Sequence, residues 1–161
     1  MLKILSIRPN NYKQIDGCLS RSAQPLKENL EWLKEHGVTD VINLRNMSKD
    51  KFDEGRYVKD LGMNYHSIPS VTKFIKSENA GEILGVIESV KSKGGKVHIH
   101  CDHGSDRTGL ISYVYERLNN IGTPNDNVEE LKKHNWQKDK YPDLIKWAED
   151  IIDNFIENDK I

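Results

Sequence analysis

Cysteine is scarce in this chain: only Cys18 and Cys101 occur among 161 residues. Two distant thiols build no disulfide framework, so a reducing cytoplasm is the expected address. Long apolar runs are also missing. None approaches the roughly 20 residues a membrane span needs, and the mean hydropathy of -0.71 describes a wet, charged surface. Neither sign of charge dominates, since 24 Lys+Arg against 25 Asp+Glu leave a formal net charge of -1. That balance excludes a broad electrostatic binder of nucleic acid or anionic lipid, while a small basic pocket stays open. The opening Met1-Leu2-Lys3-Ile4-Leu5-Ser6-Ile7-Arg8 is soon broken by charge and by Pro9, unlike a secretory leader. A periplasmic address would apply to a chain whose leader had been trimmed. Linkers, internal repeats and low-complexity tracts are absent. The expected organisation is one domain over 1–161, with its core in about 15–158.

What is present is an alternation of two periodicities. Residues 15–21 read as a short extended segment. Leu26, Leu30 and Leu33 then follow helical spacing up to Gly37. Val41-Ile42-Asn43-Leu44 has the pattern of a strand buried on both faces. Residues 50–61 look weakly helical, and Met63–Ile68 extended. Ala80, Ile83, Leu84, Ile87 and Val90 share one helical face, ended by Gly94-Gly95, and Val97–His100 is a further strand. Leu110, Ile111, Val114, Tyr115 and Leu118 mark the next helix. Amphipathic segments at about 126–134 and 141–157 close the chain, with Trp136 and Trp147 expected in the core. The pattern predicts an α/β fold: a central, mainly parallel sheet flanked by helices, three or more C-terminal helices covering one face.

Chemistry concentrates in His100-Cys101-Asp102-His103-Gly104-Ser105-Asp106-Arg107-Thr108-Gly109, between a predicted strand and a predicted helix. Such a turn aims backbone N–H groups and the positive helix end at one point, an anion site. A cysteine in such a place is biased toward thiolate. Arg107 adds a planar fork able to hold two phosphoryl oxygens. His98 and His100 share one strand face beside Cys101 and raise the alternative of zinc. The arginine and the N–H donors would repel a cation, so no metal and no cofactor is expected.

His-Cys, five residues, then Arg-Thr-Gly resembles the signature of the cysteine-dependent protein tyrosine and dual-specificity phosphatases. Gly17-Cys18-Leu19-Ser20-Arg21-Ser22-Ala23-Gln24-Pro25, followed by a helix and Val41-Ile42-Asn43-Leu44-Arg45, resembles the opening of their compact branch in bacteria, plants and fungi. Tyr65-His66-Ser67-Ile68-Pro69 resembles the strand leading to that family's acid loop. The resemblance implies a phosphatase-like fold with a strand–phosphate loop–helix active site. It implies that Cys101 attacks phosphorus and becomes phosphocysteine. Arg107 would hold the equatorial oxygens, helped by Asp102, His103, Gly104 and Ser105. Thr108 would offer its hydroxyl to the sulfur, and His100 would support the loop.

One departure stands out. The loop Ile68–Ser77 carries no aspartate where relatives keep their proton donor. Glu78 is the next carboxylate, expected merely to complement a helix N-terminus. Asp106, whose place before the arginine also resembles myotubularin-like lipid phosphatases, is the expected acid, with Asp102 the alternative. Arg45 reads as an ion-pair partner. Cys18 reads as a small buried hydrophobe, with a protective second thiol as the alternative. The expected substrate is a phosphorylated protein or small phosphomonoester, phosphotyrosine first and phosphoserine or phosphothreonine next. The alternatives are an inositol-phosphate or phosphoinositide phosphatase, to which Lys73 and Lys76 could contribute, and a phosphate-binding module with little catalysis.

Overall fold

The run Val41–Leu44 lies at the centre of the molecule. Strand β3 (Asp40–Asn43) is buried along its whole length and pairs in parallel on both sides. The computed structural model describes residues 7–46, 52–70 and 77–158. Around β3 the chain supplies β1 (Lys13–Gln14), β2 (Leu19–Ser22), α1 (Lys27–Glu35), α2 (Glu54–Asp60), β4 (Asn64–Ser67), α3 (Ser77–Ser92), β5 (Val97–His100), α4 (Arg107–Leu118), α5 (Pro124–Lys133) and α6 (Leu144–Asn158). The sheet order is β1-β2-β5-β3-β4, with only β1 antiparallel. This is the expected α/β architecture. From β2 the chain crosses two places to β3, continues to β4, and returns to insert β5 in the middle.

Two apolar layers sandwich the sheet. Val41 points to one face, where Leu30 and Leu33 of α1 and Val58 of α2 cover it. Its neighbour Ile42 points to the other, into a larger core with Ile83 and Ile87 of α3, Leu110, Ile111 and Val114 of α4, and Ala148 and Ile151 of α6. The C-terminal helices thus cover one face as expected, with Trp136 and Trp147 packed half-buried against that core. No helix among the described residues is long and apolar enough to cross a membrane.

Register sets the site. Ser22, His100, Asn43 and Ser67 stand level across the sheet, so the residues following all four strands emerge at one edge. Ligands of open α/β sheets bind at that carboxyl edge.

Three local details differ from the sequence reading. The extended segment at 15–21 divides into a turn, held by Asp16 Oδ1 accepting from Cys18 and Leu19 N–H, and β2; the hairpin partner β1 escaped notice. Leu26 is not a face residue of α1 but its N-cap, 51% exposed. Its N–H donates to Asn29 Oδ1, so helical spacing ran one turn past the helix. Helix α2 starts later than residue 50, where Asp53 Oδ1 accepts from Arg56 N–H. Residues 71–76, with Lys73 and Lys76, lie outside the described residues, as does the side chain of Glu78.

Candidate active site

Cys101 follows β5 directly, and residues 101–106 curl into the N-terminus of α4. Gly104 makes that curl possible. Its φ is +72°, and a Cβ there would lie 2.6 Å from the Ser22 carbonyl carbon and oxygen, so both conformation and space demand glycine.

Three successive loop carbonyls are held from outside. Gln24 N–H donates to Asp102 O at 3.0 Å, and Asn11 Nδ2 donates to His103 O at 3.0 Å. Arg21 Nη2 donates to Gly104 O. In a trans peptide the N–H points opposite its own carbonyl. Fixing the carbonyls of 102, 103 and 104 outward therefore turns the N–H groups of His103, Gly104 and Ser105 the other way. A cleft of about 260 Å³ opens on that side, lined by Cys101, Asp102, His103, Ser105, Asp106 and Arg107. The start of α4 adds its positive end.

The walls come from elsewhere in the chain. Arg107 Nη1 donates to Leu44 O at 3.3 Å and Ser70 O at 3.4 Å, tying its guanidinium to the ends of β3 and β4. Asp106 is buried as the N-cap of α4. Its Oδ1 accepts from Gln137 N–H at 2.9 Å, and its Oδ2 from Gln137 Nε2. Gln137, Lys140 and Tyr141, from the segment between α5 and α6, close the far side with Ser70. Thr108 is fully buried, and its hydroxyl makes no hydrogen bond among the described residues. Gly104 and Thr108 stand behind the cleft, not along its lining.

Behind Cys101 runs a buried polar chain. His100 Nε2 lies 2.8 Å from Glu54 Oε2, and Glu54 Oε1 accepts from Gln24 Nε2. Gln24 Oε1 accepts from Arg45 Nη1 at 2.8 Å, and Arg45 Nε pairs with Asp102 Oδ1 at 2.7 Å. Burial pushes the Glu54 carboxyl up, but His100, Gln24 and Arg45 together outweigh it and hold it below the usual range. Arg45 is the ion-pair partner that the sequence suggested. His98 is enclosed between Ser20 Oγ and Ser22 Oγ, 2.7 Å from each ring nitrogen, and burial keeps it neutral. The two strand histidines are thus spent separately, and among the described residues no group of three His, Cys, Asp or Glu is placed to hold a metal.

On the outer side of the loop, Asn11 also binds His134, whose Nδ1 lies 2.7 Å from Asn11 Oδ1. Burial and the neighbouring Arg21 lower His134 to about 4, so it is neutral at pH 7 and donates from Nδ1. Its 3.7 Å approach to Glu130 is then no ion pair.

The structure brings Cys101, Asp102, His103, Ser105, Asp106 and Arg107 to one cleft and sets His100 behind them. The sequence reading missed Asn11, Glu54 and Gln137. It quoted Arg21 and Gln24 only as parts of a motif, whose spacing from Gly104 and Asp102 gave no hint of contact. Cys18, buried at the opposite end of β2, takes no part in the site.

Known proteins share the fold and part of the sequence. The chain is 26% identical over 86 residues to dual specificity protein phosphatase 2 of Mus musculus, a match covering 53% of this chain and 26% of that protein. It thus spans about a quarter of that relative's length. Among solved structures, a DUF442 protein from Shewanella putrefaciens CN-32 superposes with a TM-score of 0.75 at 23% identity, covering 89% of this chain and 90% of that one. TpbA of P. aeruginosa superposes at 0.72 with 20% identity, covering 87% and 84%. The catalytic core of the PP-IP phosphatase SIW14 from S. cerevisiae does so at 0.73 with 19% identity, covering 94% of each. Residues 17–116, which run from the turn before β2 to the last turns of α4, match the family of polymorphic toxin system DSP-PTPase phosphatases, and the chain belongs to that family.

Proposed function

We propose that this phosphatase hydrolyses phosphomonoesters through a phosphocysteine intermediate on Cys101. The observation that carries this reading is the Cys101 thiol at a cleft whose one wall is outward-held carbonyls with inward N–H groups, and whose other is Arg107. In the first step Cys101 Sγ attacks phosphorus and the bond to the leaving oxygen breaks. Arg107 and the N–H groups of the loop grip the equatorial oxygens as their charge spreads. The leaving oxygen takes a proton from Asp106. Water then attacks phosphorus and gives its proton to Asp106, the S–P bond breaks, and inorganic phosphate leaves.

Asp106 suits the donor's part better than Asp102. Asp102 carries its charge into an ion pair with Arg45. Asp106 is held by the neutral amide of Gln137 and makes no ion pair among the described residues; that amide uses two of the carboxylate's four lone-pair directions and leaves room for a proton and a substrate. No metal or cofactor enters this scheme.

The preferred substrate is a phosphotyrosine protein or a small aryl phosphomonoester, since an open cleft beside Tyr141 accepts a flat ring. A structure of TpbA in complex with pTyr has the same fold, with a TM-score of 0.71. Lys140 at the same cleft favours a second reading, an inositol-phosphate substrate carrying further negative charge. This reading treats 1–161 as one catalytic domain working in the cytoplasm, where Cys101 stays reduced.

Turnover of a phosphotyrosine peptide, p-nitrophenyl phosphate and an inositol polyphosphate, in wild type and Cys101→Ser, tests it. Peptide turnover that is lost in the variant is expected. Turnover of the inositol phosphate alone would transfer the assignment to the second reading. Tight phosphate binding without any turnover would replace the enzyme by a binding module.

A further inference from the structure

We propose that Arg21, a residue outside the cleft, positions the phosphate loop and adds a second positive charge behind its anion site, on the flank opposite Arg107; this rests on the proposed reading of that loop. Arg21 lies on β2, level with Ile99 of β5, and is 1% exposed, among the largest fully buried side chains of the protein. A guanidinium is a costly group to bury, and one kept there needs compensation. Among the described residues its side chain has one such compensation, a hydrogen bond from Nη2 to Gly104 O, while Nε has no partner there. Among the described residues no carboxylate pairs with it.

The surroundings leave that charge in force. Burial brings the guanidinium down to about 10, so it remains protonated at neutral pH. Five other titratable groups lie around it. Glu116 of α4 is pushed up by its own burial, and it accepts from Asn127 Nδ2 at 2.7 Å. Glu130 of α5 is taken by Lys13 of β1 at 2.7 Å and by Lys133 at 3.4 Å. His134 is neutral at pH 7. Lys13, on the far side of Glu130, adds positive charge. Cys101 on the loop side, and Glu116 and Glu130 behind it, each favour a charged Arg21.

The consequence for the cleft is geometric and electrostatic. By taking the Gly104 carbonyl outward, Arg21 turns the Ser105 N–H toward the anion. Its charge, on the β2 flank of the loop, complements Arg107 on the β3–β4 flank. Gly109 belongs to the same arrangement, since a Cβ there would meet Leu131 at 2.9 Å and Arg21 Nη2 at 3.8 Å.

Three variants of the full chain separate the parts of this role. Arg21→Lys keeps charge and a donor, Arg21→Gln keeps donors without charge, and Arg21→Met keeps neither. Each is measured for thermal melting, for kcat and KM on p-nitrophenyl phosphate, and for calorimetric binding of tungstate. Arg21→Met is expected to lower kcat about 10²-fold and to weaken tungstate binding about tenfold. Arg21→Gln should be intermediate and Arg21→Lys closest to wild type. Should Arg21→Met fail to fold, the order of Lys above Gln carries the test. Wild-type kcat and tungstate affinity in a folded Arg21→Met, or equal losses in Lys and Gln variants, would overturn the proposal. A wild type that binds tungstate but turns nothing over defeats the enzymatic reading alone, because the tungstate series still decides on Arg21.

Discussion

His100 and Glu54, 46 residues apart, meet at 2.8 Å with both side chains closed to solvent. This contact joins the residue before Cys101 to the first turn of α2. Through Gln24 and Arg45 it continues to Asp102 on the rim of the cleft. Glu54→Gln should therefore act on both stability and turnover. Losing the carboxylate while keeping the shape is expected to cost about 1–3 kcal/mol at pH 7 by urea unfolding, and to lower kcat roughly tenfold. The folded Glu54 carboxyl lies below its unfolded value of 4.5. Its contribution is thus complete above about pH 4.5 and fades as pH falls through the lower folded value. Wild type and variant should converge in stability at acid pH, and an equal gap at pH 7 and pH 3 would refute a stabilising role for the Glu54 charge.

Asp106 and Gln137 make a prediction about leaving groups. A p-nitrophenolate departs with little help, whereas a serine alkoxide needs a proton. Asp106→Asn is expected to cost about 10²–10⁴ on alkyl phosphates and less than about tenfold on p-nitrophenyl phosphate. Gln137→Ala, which frees the carboxylate to wander, should follow the same pattern more weakly. Uniform losses across leaving groups would remove Asp106 from the proton transfer and leave it as the anchor of the segment between α5 and α6.

How far the sequence carries depends on the range of each contact. The loop from Cys101 to Arg107 is legible because strand, glycine and helix signals are local and adjoin. The parallel sheet is legible because short strand runs such as Val41–Leu44 and Val97–His100 alternate with amphipathic helices. Contacts that close the site are another matter. Arg21 reaches Gly104 across 83 residues and Gln137 reaches Asp106 across 31, with no periodicity to announce either. Leu26 misleads for a simple reason: its place at i-4 from Leu30 fits the helical face, but nothing in that spacing tells an N-cap from an interior turn.

His134 gives a pH dependence of opposite residue type but the same sign. Its folded value of about 4 lies under the ordinary 6.5, through burial first and Arg21 next. A histidine kept neutral in the fold contributes stability that is complete above about pH 6.5 and lost as pH falls toward 4. Protonation would also convert a ring placed beside Asn11, which holds the His103 carbonyl, into a cation beside Arg21. The melting temperature of wild type should drop between pH 6.5 and 4.5. His134→Asn, which retains a donor for Asn11 Oδ1, should flatten that drop. Parallel melting curves for the two proteins over this range would exclude His134 as the source.

Cys18 and Cys101 are both free and both buried, yet they occupy opposite ends of neighbouring strands. Leu19 pairs with Val97, so Cys18 stands level with Lys96, five residues before Cys101. At about 3.3 Å per residue the separation is roughly 16 Å, whereas a disulfide needs Cα atoms within about 7 Å. Bridging them would require β2 to leave the sheet. Burial and the charge of Asp16 also push the Cys18 thiol up, which suppresses the thiolate that an exchange reaction needs. Mild peroxide should therefore trap Cys101 as a sulfenic acid reactive to dimedone, with no Cys18–Cys101 peptide by mass spectrometry. Recovery of activity with dithiothreitol should be the same in wild type and Cys18→Ala. A linked peptide, or faster irreversible loss in Cys18→Ala, would mean that the β1–β2 hairpin opens in solution and lets the second thiol protect the first.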